Sequence, residues 1–72
     1  MSLDADLAAT TSYVTHVRRA IARQLLQVVK LSDVGCSTMD AEATVEALRS
    51  TLSVLEKHER HLQELKQRAV PA

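Results

Sequence analysis

The sequence predicts an all-α fold, an antiparallel two-helix hairpin with coiled-coil-like packing, on three observations. Ala, Leu, Glu, Arg and Gln are abundant while Tyr13 is the sole aromatic residue, a balance that favours helix over sheet. Chain breakers cluster once inside the chain, in "SDVGCST", Ser32 to Thr38, which holds the single glycine, Gly35. Apolar residues recur seven apart on both sides of that cluster.

The first helix is expected over about residues 4–31. Leu7, Val14, Ile21 and Val28 stand seven apart, with Leu3, Val17, Leu25 and Leu31 at adjoining positions, a seam of coiled-coil type. The turn is expected over about residues 32–37. Gly35 suits a left-handed position after the first helix, and Ser37 with Asp40 three residues on resembles a capping box. The second helix is expected over about residues 38–68. Its stripe is Ala41, Leu48, Leu55, Leu62 and Ala69, flanked by Val45, Leu52 and Leu65, and Pro71 lies beyond its end. A single helical-hairpin domain over 1–72 is the expectation. When antiparallel helices of equal rise fold back at this turn, facing residues have numbers adding to about 69. Val28 then faces Ala41, Ile21 faces Leu48, Val14 faces Leu55 and Leu7 faces Leu62.

Charge and cysteine usage narrow the functional classes. Nine basic and nine acidic side chains cancel, so no net field draws the molecule to nucleic acid or an anionic membrane. Cys36 is the only cysteine and cannot close a disulfide within its chain; it reads as a free thiol in a turn. The stretch "MSLDADLAATTS" has aspartates where a secretory signal carries positive charge, and no apolar run approaches a membrane span. A cytoplasmic chain with no membrane partner is the expectation.

"HERH", His58 to His61, holds two histidines and a glutamate, the ingredients of a hydrolytic zinc centre. A zincin motif needs its histidines four apart on one helical face; here they are three apart with no third ligand nearby. The favoured expectation is structural: His58 in the seam facing Thr10 or Thr11, His61 flanking it, Glu59 turned to water. No metal or cofactor site is assigned. A metal-assisted dimer is the weaker alternative, with His58 and His61 of one copy beside Asp33, Cys36 and Asp40 of another.

Between Leu7 and Ser32 no acidic residue occurs, while Arg18, Arg19, Arg23 and Lys30 form a possible nucleic-acid face. Without an aromatic platform, and with Glu42, Glu46, Glu56, Glu59 and Glu64 available as partners on the second helix, ion pairing is the favoured expectation for these cations. A nucleic-acid module using this face is the runner-up reading, with nucleic acid the less favoured partner. Enzyme activity is not expected, because the chain has no glycine-rich phosphate loop and a two-helix layer has no room for a large pocket.

The combination of "IARQ" in the first helix, glycine in the turn and "ALRSTLSVLEKHERHLQEL" in the second resembles a group of short uncharacterised proteobacterial helical-hairpin proteins. The likeness spans roughly residues 13–65. It implies a bacterial cytoplasmic hairpin and carries no assigned activity.

One partner helix cannot cover all the apolar residues near the turn. Leu25, Leu26 and Val29 on the first helix, with Leu52 and Val54 on the second, are therefore candidate dimer-interface residues. The expected function is a non-catalytic module that binds itself, as a homodimer forming a four-helix bundle, or binds another helical protein.

Overall fold

A computed structural model describes residues 2–69. Two helices, α1 (Leu3–Asp33) and α2 (Met39–Ala69), lie against each other, and the described chain contains no strand. The hairpin is long and narrow, 59 × 20 × 14 Å. Both helices extend about as far as their apolar periodicity requires. Pro71, expected beyond the second helix, is outside the described residues.

Each helix end is closed by identifiable groups. Ser2 caps α1, its hydroxyl accepting from the Ala5 amide at 3.2 Å, and Asp4 and Asp6 place negative charge at the positive end of the helix dipole. At the other end Gly35 adopts φ 74°. The Cys36 amide reaches back to the Leu31 carbonyl at 2.8 Å and the Gly35 amide to the Ser32 carbonyl at 3.1 Å. These two bonds are the Schellman closure, and they need a residue free of β-carbon strain at Gly35. The second helix begins one residue later than the expected box. The Glu42 amide donates to the Thr38 carbonyl at 2.9 Å, which makes Thr38 the cap residue. The Ser37 hydroxyl only reaches the Met39 amide, at 3.4 Å, and no Ser37–Asp40 reciprocal bond forms among the described residues.

The interface follows a three–four alternation. In α1 the buried or half-buried positions include Leu3, Leu7, Thr10, Val14, Val17, Ile21, Gln24, Val28 and Leu31; in α2 they include Thr38, Ala41, Val45, Leu48, Leu52, Leu55, Glu59 and Leu62. All four expected heptad positions of α1 lie inside it. So do those of α2 except Ala69, which is exposed at the open end. Among the described residues only Val14 is fully buried, and Thr10, Ala41, Val45 and Leu62 are nearly so. Thr10 is accommodated because its hydroxyl donates to the Asp6 carbonyl at 2.9 Å.

Two expected seam residues are displaced. Leu25 is 42% exposed, and Gln24 takes the half-buried position between Ile21 and Val28. From Ile21 the alternation steps three and then four, so the fourth residue falls on the flank. Likewise His58 is exposed and Glu59 occupies the half-buried position, because the step from Leu55 to the next seam position is four.

At Gly35 a β-carbon would meet no atom within 4 Å, so only the backbone opposes substitution. Gly35→Ala should lower unfolding stability by about 1 kcal/mol, and Gly35→Asn by less. Urea titration followed by circular dichroism measures both; equal stability of all three proteins would remove the turn's dependence on glycine.

Candidate functional site

The hairpin has two flanks, one on either side of the seam, and polar contacts cross only one of them among the described residues. Asp4, Thr11, Arg18 and Leu25 stand seven apart in α1 and form one row. Asp4 meets Lys66 at 2.9 Å. The Thr11 hydroxyl donates to the Glu59 carboxylate at 2.8 Å. Arg18 meets Glu56 at 2.9 Å. The first two contacts share one register, a single residue beyond the expected one, while the longer arginine side chain reaches a position nearer the open end. All are solvent-exposed and each contributes a fraction of a kcal/mol; their value lies in fixing how the helices slide past each other.

Leu25 is the fourth member of this row, and no polar partner follows it. With Ala22, Leu26 and Val29 it forms a stripe at spacings of three, four and seven, hence on one helical face. Leu26 is 59% and Val29 56% exposed. Beside the stripe runs an open groove of about 470 Å³, bounded by Leu25, Val28 and Val45 and rimmed by Glu42, Glu46 and Arg49. Arg49 and Glu46 form a loose ion pair at 3.8 Å. An apolar stripe joined to a partly apolar groove is suited to receiving another helix, whose side chains insert between the stripe's own.

The five candidate interface residues do not form one patch. Leu25, Leu26 and Val29 are contiguous on the flank just described. Leu52 is half-buried in the seam between α1 and α2. Val54 is exposed but precedes seam residue Leu55, whereas Glu56 on the polar flank follows it; Val54 therefore lies on the opposite flank. His61 is one heptad beyond Val54 and shares that flank.

His58 and His61 are both exposed. The expected partnership of His58 with Thr10 or Thr11 is not made: Thr10 bonds its own helix and Thr11 bonds Glu59. Glu59 is the interhelical residue that sequence reasoning turned to water. The four-residue step from Leu55 lands on Glu59, a phase that contact with α1 sets. Among the described residues no three His, Cys, Asp or Glu side chains come together as a metal-binding group. Cys36 is exposed.

The basic residues divide. Arg18 pairs with Glu56, but Arg19, Arg23 and Lys30 make no ion pair among the described residues, so most of this face is not neutralised by the carboxylates of α2. Among the described residues no helix is long and apolar enough to cross a membrane.

No family model, no curated protein and no solved structure matches this chain. Among the described residues the chain is a two-helix antiparallel hairpin with an exposed apolar stripe on α1.

Adding zinc to chelator-treated protein should leave its melting temperature within about 1 °C, because two exposed histidines three apart give the ion too few ligands to stabilise the folded chain. A stoichiometric rise that disappears in His61→Ala would establish a metal site there.

Proposed function

We propose that this chain is a non-catalytic helical module that acts by binding a second copy of itself, two hairpins completing a four-helix bundle. The observation that carries the proposal is the exposed stripe of Leu25, Leu26 and Val29. Full burial of such a side chain is worth about 1.5–3 kcal/mol, so covering the exposed half of all three recovers roughly 3 kcal/mol. That is a large share of the stability available to a chain with so few fully buried side chains. A cytoplasmic setting accords with the free Cys36. Another helical protein with a matching stripe is the alternative occupant, and a metal-assisted dimer through His58 and His61 is the weakest of these readings.

If folding and association are linked, the melting temperature rises with protein concentration and the sedimentation mass is twice that of the chain. Leu26→Asp should shift the mass toward one chain while helix content persists at high concentration. A folded monomer at micromolar concentration in the unaltered protein would overturn the proposal.

One observation favours a second reading, nucleic-acid binding, namely the unpaired state of Arg19, Arg23 and Lys30 among the described residues. Such binding is electrostatic, so it should weaken steeply with added salt, and Arg19→Ala with Arg23→Ala together should reduce the affinity for random RNA about tenfold or more at low salt. Fluorescence anisotropy with labelled RNA decides this, and absence of binding at low ionic strength removes the reading.

A further inference from the structure

We propose that the second copy docks on the Leu25 flank with its turn at the opposite end of the assembly, about a two-fold axis passing between Leu25 and Leu26 on α1 and between Val45 and Glu46 on α2. This inference rests on the self-association proposed above and assigns its geometry.

The distribution of apolar and charged residues on this flank selects the orientation. The apolar stripe belongs to α1 alone, whereas α2 presents Glu42, Glu46 and Arg49 beside it. Stacking the flanks with both turns at one end lays each stripe on the charged residues of the partner's α2, which must then lose water without compensation. Apolar surface meets apolar surface only when α1 lies on the partner's α1. Two such helices could still run in the same direction, but every residue then sits level with its own copy. Arg18 and Arg19 would oppose their counterparts at one end of the stripe, and Asp33 its counterpart at the other.

Reversing one copy exchanges the ends. The Arg19 end of one stripe meets the Asp33 end of the other, so opposite charges adjoin twice. Ala22, the smallest member, comes opposite the larger Val29, and Leu25 and Leu26 interleave around the axis. On α2, Glu42 and Arg49 are equally distant from the axis, so each Glu42 meets the partner's Arg49. Glu46, nearest the axis, keeps its own Arg49 as counter-charge at 3.8 Å.

The two axis points need not have coincided. By the register of Asp4 with Lys66 and Thr11 with Glu59, the step between Leu25 and Leu26 is level with the step between Thr44 and Val45. That is about one residue, roughly 1.5 Å, from the point that Glu42 and Arg49 require. One two-fold axis therefore serves the apolar stripe and the charged row together.

The assembly is staggered, because the axis lies nearer the turns than the open ends. The open ends, with His58 and His61 on the other flank, project beyond the overlap. The two Cys36 thiols stand about 30 Å apart along the axis of the bundle.

Pulsed electron–electron resonance on the full chain tests the orientation, with a nitroxide at Gln63→Cys in a Cys36→Ser background and sedimentation run first. A dimer with a label separation of about 50 Å or more is the expected result. A dimer with a separation of about 30 Å or less overturns the orientation and leaves self-association standing, while a monomer in sedimentation overturns both. A charge exchange tests the contact independently: Glu42→Arg and Arg49→Glu should each weaken the dimer about tenfold, and the two together should restore it. Losses that merely accumulate in the double variant overturn the Glu42–Arg49 pairing.

Discussion

A helix in this hairpin has one neighbour, and that geometric limit governs the rest of the molecule. Each helix can bury only the strip that faces the other, so only Val14 is fully buried, Thr10, Ala41, Val45 and Leu62 are nearly so, and the remaining seam residues stay partly wet. A core this thin supplies modest hydrophobic stabilisation. Among the described residues, most side chains off the seam therefore stay in contact with water, and the two flanks carry the hairpin's distinctive shape and charge.

A thin core also specifies register weakly, since heptads of leucine and valine can slide by a turn with little change in buried area. Three features resist that slide. The Schellman closure at Gly35 fixes where α1 ends, and the short turn fixes where α2 begins. Asp4–Lys66 and Thr11–Glu59 then hold the open half in a single register. Their individual energies are small because they are exposed, but a slipped pairing would lose them together. Local backbone geometry and distant polar contacts thus specify the same alignment.

The row that carries these contacts explains the stripe. Asp4, Thr11 and Arg18 cross to α2, whereas Leu25, next in the row, meets the open groove between Val28, Val45 and the charged rim. The flank changes character along its length, polar near the open end and apolar near the turn. The exposed apolar stripe and the charged residues beside it are what the proposed association rests on.

The sequence by itself determined the helices, the turn and most of the seam, because these depend on local propensities and on a period that neighbouring residues carry. Leu7, Val14, Ile21 and Val28 were legible as interface residues for that reason, as were Ala41, Leu48, Leu55 and Leu62. The basic face of α1 was legible too, but not which of its cations would be paired. Only the packed pair decided that Gln24 enters the seam and Leu25 leaves it, that Glu59 crosses to Thr11 while His58 faces water, and that Leu52 and Val54 do not share a surface with Leu26 and Val29. Hydropathy favours the opposite assignment at the first two places. The reason is geometric: once two helices touch, the alternation of three- and four-residue steps sets which side of each helix is covered. At single positions that shared phase outweighs the preference of one side chain for an apolar setting.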